Sequence, residues 1–70
     1  MKSDFSKRLK ELRTEKGLSQ HQLAKNLNHK ITQSAIGLWE RGKRIPNLDL
    51  VIILADYFCV SLDYIAGRED

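Results

Sequence analysis

Hydrophobic residues recur along this chain at intervals of three and four, and no sustained stretch alternates apolar with polar positions. That spacing is the mark of helices with one buried face. Five short helices are predicted. The first covers about residues 5–16, where Phe5, Leu9 and Leu12 line one side, Asp4 or Ser3 stands ready to cap the start, and Gly17 offers a left-handed end. The second covers 20–27, with Leu23, Ala24 and Leu27 facing inward. Ser19 followed by Gln22 has capping-box spacing, so each side chain can satisfy a free N–H at the helix start, and Asn28 can replace glycine at the end. The third covers 33–41 between Thr32 and Gly42, the fourth 48–58 after Pro46 and Asn47, and the fifth 62–66 between Ser61 and Gly67. The connections are a few residues long, with no repeat and no linker-like tract. The expected fold class is all-α, a compact five-helix bundle.

Length and composition narrow the functions available. Seventy residues make one domain, 1–70. Such a chain buries only about 60% of its unfolded surface, so a deep substrate cavity is not expected. The longest apolar run, Leu50 to Ala55, falls far short of the ~20 residues of a membrane span, and no secretory signal is visible. The lone Cys59 excludes an intrachain disulfide and a thiolate metal cluster and fits a reducing cytoplasm; after the apolar fourth helix it reads as a small buried hydrophobe. His21 and His29 lie eight residues apart, not at the i, i+4 spacing of a shared helix face, and there is no glycine-rich phosphate loop. No catalytic residue, cofactor or metal site is therefore expected.

Charge adds a direction. Residues 1–45 carry eleven Lys and Arg against four acidic residues, a balance of +7; residues 46–70 carry one against five, or −4, which together give the net +3. The basic half suits a polyanion, because Lys and Arg displace condensed counterions from phosphates. An asymmetric solvated surface would carry the same charges.

The third helix is the most informative segment. At 100° per residue, Ala35, Ile36, Trp39 and Glu40 fall on one side, and Gln33, Ser34, Gly37, Leu38 and Arg41 on the other. The first set suits a core, Trp39 included. The second is short, mostly polar and ends in a cation, which is what a major groove accepts. The Gln33 amide can donate and accept at once, matching the N7 and N6 edge of adenine. Gly37 costs the helix roughly 0.5–1 kcal/mol relative to Ala and points away from the expected core. Either the backbone approaches DNA closely there, or it is a neutral surface glycine. Leu38, at the edge of this face, either touches a thymine methyl or is partly buried.

The segments Leu12-Arg13, Gly17-Leu18-Ser19-Gln20, Leu23-Ala24, Trp39-Glu40-Arg41-Gly42-Lys43, Pro46 and Val60-Ser61-Leu62-Asp63 stand in a recognisable order and spacing. Over about residues 8–67 the chain resembles the Cro/phage-repressor (Xre-type) helix-turn-helix family of DNA-binding transcriptional regulators. The resemblance implies a lambda-repressor-like bundle in which residues of about 19–41 form the helix-turn-helix and the third helix enters the major groove. It places Gln20 where the family contacts a phosphate and supports the first glutamine of the recognition helix, here Gln33. It puts Ser34, Gly37 and Leu38 on base-facing positions and Arg41, Lys43 and Arg44 at backbone phosphates. Arg13 and Glu40 match a structural ion pair between the first and third helices. One departure stands out. The family turn of the form Leu-Gly-Val-Ser is here two residues longer, through Asn28, His29 and Lys30. Either the second helix runs on or the turn bulges, and Lys30 comes near the DNA backbone as a further phosphate contact.

Partners follow from the fourth helix. Val51, Leu54, Ala55 and Phe58 form its inward stripe, while Leu50, Ile53 and Tyr57, extended by Tyr64, form a second. A surplus apolar stripe marks an association surface, unless the helix is simply wrapped on all sides. The expectation is a homodimer built on Leu50, Ile53, Tyr57 and Tyr64, spacing two recognition helices about 34 Å apart on an operator in double-stranded DNA. The chain is then a cytoplasmic regulator, bacterial or phage-encoded, expected as a repressor, with activation the other sign of control the sequence allows. With no ligand-binding domain expected after Gly67, regulation would come from concentration, a partner protein or proteolysis. The alternative is a protein-interaction module on the same fold, of the antitoxin or antirepressor-target type, with DNA binding secondary.

Overall fold

The computed structural model describes residues 2–28 and 31–68. Among them are five helices and no strand: α1 (Lys2–Glu15), α2 (Gln20–Leu27), α3 (Gln33–Glu40), α4 (Leu48–Phe58) and α5 (Leu62–Ile65). Each of the last four starts on the cap its sequence offers. Ser19, Thr32, Asn47 and Ser61 hold extended backbones and accept from the N–H of Gln22, Ala35, Leu50 and Tyr64. Such a cap is worth about 1 kcal/mol. At Ser19 the box is complete, with the Ser19 N–H donating back to Gln22 Oε1 at 2.8 Å.

The first helix differs from its expected start. It begins at Lys2, so Ser3 and Asp4 lie inside it rather than capping it. Asp4 in the first turn still meets the positive end of the helix dipole. The ends of α3 and α5 also fall one residue short of expectation, with Arg41 and Ala66 serving as C-caps. After α3, Gly42 takes φ +73° and lets the Lys43 N–H return to the Leu38 carbonyl at 2.9 Å, which turns the chain away from the helix.

The core is single. Phe5, Leu9 and Leu12 of α1 meet Leu23 and Leu27 of α2, Ile36 and Trp39 of α3, Leu54, Ala55 and Phe58 of α4, and Ile65 of α5, with Ile31 closing the gap before α3. Leu9, Leu23, Ile36, Leu54 and Ile65 are fully buried. The third helix packs on both α1 and α2, and α5 packs on α1 and α4. Polar ties reinforce the α1–α3 contact. Ser6 Oγ donates to the Trp39 carbonyl at 2.6 Å within the core. No helix of the described residues is long and apolar enough to cross a membrane.

Cys59 is not buried. It is exposed and forms the C-cap of α4 with φ +57°, because the chain there must turn left-handed for the Val60 N–H to reach the Ala55 carbonyl. The apolar surface of α4 is also distributed differently from expectation. Leu50, Ile53, Tyr57 and Tyr64 are half-buried and packed against the core. The Tyr57 hydroxyl accepts from Asn26 Nδ2 at 3.0 Å, and Lys16 stands over its ring. Arg8 lies 4.2 Å above the Tyr64 ring. The most open large apolar side chains are instead Ile45, Leu48, Ile52 and Leu62, with Leu48 66% exposed. Ile45, Leu48 and Leu62 line an apolar groove of about 370 Å³ with Phe5, Pro46 and Val51, rimmed by Asp63 and Arg68.

Candidate nucleic-acid interface

Helix α3 lies against the body on Ile36 and Trp39 and leaves Gln33, Ser34 and Arg41 in solvent. This division follows from the helical period of its sequence, since the buried pair and the open set lie on opposite sides. Leu38 sits half-buried at the border. Gln20, Gln33, Ser34, Gly37, Leu38 and Arg41 together line one open concavity of about 360 Å³. Six of the nine residues expected to meet DNA are thus brought to one place. Lys43 and Arg44 follow α3 and are exposed. Lys30 lies outside the described residues.

The extra length between the two helices is not taken up by α2. That helix stops at Leu27, where Asn28 takes φ 54° and ψ 36°. Asparagine tolerates this left-handed backbone, which closes a helix. The additional residues therefore belong to the connection, and α3 starts on Thr32 as the sequence indicates.

The back of α3 is fixed by one carboxylate. Arg13 grips Glu40 with two arms, Nε to Oε2 at 2.6 Å and Nη2 to Oε1 at 3.0 Å, and gives Nη1 to the Leu18 carbonyl at 2.6 Å. The two side chains are 11% and 4% exposed, so the pair is largely out of water. A two-armed, charge-assisted contact of this kind fixes orientation as well as distance. The hydrogen bonds that Arg13 donates to Glu40, opposed by burial and helped by the Glu40 charge, raise the Arg13 pKa above its ordinary value. Arg13 is therefore charged at any pH at which the protein is handled.

Gln20 joins the same carboxylate, donating Nε2 to Glu40 Oε1 at 3.1 Å. Its amide is thus committed to Glu40 and not to Gln33, the partner implied by family resemblance. Glu40 is the stronger acceptor because it is ionised. The opposite end of the amide faces Gly37. A Cβ on Gly37 would stand 3.4 Å from Gln20 Oε1 and 3.2 Å from Arg41 Nη1. Gly37 is consequently buried, and the cover comes from these two polar side chains rather than from the core. A methyl group there would need Arg41 Nη1 to give by only a few tenths of an ångström, so the open side of Gly37 is bordered by two side chains rather than bare. Ser6 and the Gln20–Glu40 contact escaped sequence reasoning. Periodicity places a residue on a face but does not say which polar group lies across from it.

Comparison with known proteins fits this geometry. The helix-turn-helix family model matches residues 9–65, a span that includes every helix from the core of α1 to the end of α5. The HTH-type transcriptional activator BcrR of Enterococcus faecalis is 36% identical over 67 residues, 96% of this chain and 32% of that protein. The HTH-type transcriptional regulator ImmR of Bacillus subtilis is 36% identical over 66 residues, 94% of this chain and 50% of its own length. The uncharacterised HTH-type regulator YobD of the same bacterium is 38% identical over 66 residues, 94% and 57% of the two lengths. The chain thus spans between about a third and just over half of these relatives. No solved structure gives a significant match. A five-helix body, an α3 held from behind by Arg13 and Glu40, and a family match over most of the chain lead to one conclusion: this chain belongs to the Xre-type helix-turn-helix family of DNA-binding transcriptional regulators.

Proposed function

We propose that residues 8–67 act as a sequence-specific DNA-binding domain, with 19–41 as its helix-turn-helix, that inserts α3 into the major groove and represses transcription as a homodimer. The observation that carries this reading is the open concavity lined by Gln33, Ser34, Gly37 and Leu38 together with Gln20 and Arg41, in which Gln33 and Ser34 are exposed. Gln33 reads adenine, whose N7 and N6 match its amide, and Ser34 and Leu38 supply shorter contacts. Lys43 and Arg44, with Lys30, neutralise phosphates on either side. A two-fold operator would set the two α3 helices about 34 Å apart. The dimer is assigned to α4 and α5 through Leu50, Ile53, Tyr57 and Tyr64. The protein works in the cytoplasm of a bacterium, from a chromosomal or phage gene.

Selection of binding sites from random duplex DNA tests this directly. A two-fold motif is the expected outcome. Gln33→Ala should lose roughly 1–3 kcal/mol and relax the preference at one base pair, while Lys43→Ala should weaken all sequences alike and lower the salt slope by about one. No enrichment over random duplex would overturn the proposal. A reporter carrying the selected site then gives the sign of control. One relative is named an activator, and increased expression from the reporter would replace repression with activation.

A second reading has its own support in the apolar groove of Ile45, Leu48 and Leu62, which shares no residue with the α3 concavity. A protein-interaction module of the antitoxin or antirepressor-target type would use that groove and would not need the base-facing set of α3.

A further inference from the structure

Arg41 follows the last residue of α3 as its C-cap, yet its side chain does not point off the end of the helix. It folds back over the preceding turn, with Nη1 3.2 Å from where a Gly37 Cβ would stand. It thereby becomes a wall of the same concavity as Gln33, Ser34 and Leu38. A cation that serves only phosphates reaches outward to the rim of the groove; this guanidinium lies across the concavity shared by Gln33, Ser34 and Leu38.

We infer that Arg41 is a base-reading residue, donating two N–H groups to O6 and N7 of a guanine, and that Gly37 is the position that makes room for it. The inference rests on the major-groove placement of α3 proposed above and assigns Arg41 a role beyond phosphate contact. Two further observations support it. Glu40, the adjacent carboxylate, is occupied by Arg13 and Gln20, and among the described residues no ion pair engages the Arg41 side chain. Its donors are therefore free for a ligand. In addition, Gln20 Oε1 lies 3.4 Å from the same Gly37 point, so the two side chains border one backbone position of the concavity. A planar fork with free donors matches the paired acceptors of guanine, which adenine, thymine and cytosine do not present in the major groove.

The test compares sites selected by the unmodified chain, Arg41→Ala, Arg41→Lys and Gly37→Ala, followed by affinity for the best site with one guanine replaced by 7-deazaguanine, which lacks the N7 acceptor. The unmodified chain should prefer G·C at one position per half-site by roughly 5- to 150-fold. In Arg41→Ala that preference should fall to within about two-fold while all others persist. Arg41→Lys should retain part of it, and Gly37→Ala should weaken the same position and no other. The 7-deaza substitution should weaken the unmodified chain but not Arg41→Ala. Arg41 is exposed, so its replacement leaves the core intact. A motif identical in Arg41→Ala, with every sequence weakened equally, would make Arg41 a phosphate contact and overturn the inference while leaving the DNA-binding proposal standing. Loss of an A·T preference would overturn it as well. Failure of the unmodified chain to enrich any sequence would overturn both.

Discussion

Cys59 occupies at the end of α4 the left-handed backbone that Gly17, Gly42 and Gly67 occupy after α1, α3 and α5. A side chain there crowds the following carbonyl, at a cost of about 1–2 kcal/mol, which glycine avoids. Its own side chain is exposed and offers little burial in return. Cys59→Gly should therefore stabilise the fold by about 1 kcal/mol, less the extra flexibility of the unfolded chain, and raise Tm by roughly 4 °C in a calorimetric scan. A lower Tm would mean that the thiol packs better than its exposure implies. The position was not legible in the sequence because hydrophobicity alone suggests burial, whereas the fate of residue 59 is decided by how the helix must end. Gly37 teaches a related lesson. Its face on α3 follows from periodicity, but the Gln20 and Arg41 side chains above it depend on how α2 approaches α3.

Among the elements, α3 is held by contacts of two kinds, apolar through Ile36 and Trp39 and polar through Glu40. Removing one member of a largely buried ion pair leaves the other without compensation, a loss of about 3–5 kcal/mol. Glu40→Ala strands both Arg13 and Gln20, and urea denaturation should show a loss within that range. A change below 1 kcal/mol would mean that water reaches Arg13 freely once its partner is gone. The sign of the pH effect from Arg13 is equally definite. Its pKa is raised in the folded state, so its contribution is complete below the ordinary arginine pKa and disappears only in stronger alkali. Arg13 therefore adds no slope to stability around neutral pH. At this scale the sequence is a good guide. Four caps and the bounds of α2 and α4 are visible in it, because caps and periodicity are local. The start of α1 is not, since residues 2–4 extend the helix without any apolar periodicity to announce it.

For the molecule as a whole, the question is which apolar surface remains for another protein. The heptad-like count on α4 identifies two stripes but not their cover, because that depends on where α1 and α2 lie. Tyr57 is engaged by Asn26 and Lys16, and Tyr64 by Arg8, while Leu48 and Ile52 remain open. Ile53→Asp and Leu48→Asp separate the two surfaces in sedimentation. A dimer on the proposed α4–α5 residues should dissociate with Ile53→Asp and survive Leu48→Asp. The opposite result would move the contact to the groove beside Pro46, and a monomer in the unmodified chain would exclude both.

A Cβ on Gly67 would collide with the Asp4 side chain and come within 3.3 Å of its Cα, so the last turn is pressed directly against the first. Peptides fused before residue 4 and after residue 67 would emerge from neighbouring points on the surface. A short peptide bridge between positions 4 and 67 would close the bundle into a ring with little distortion.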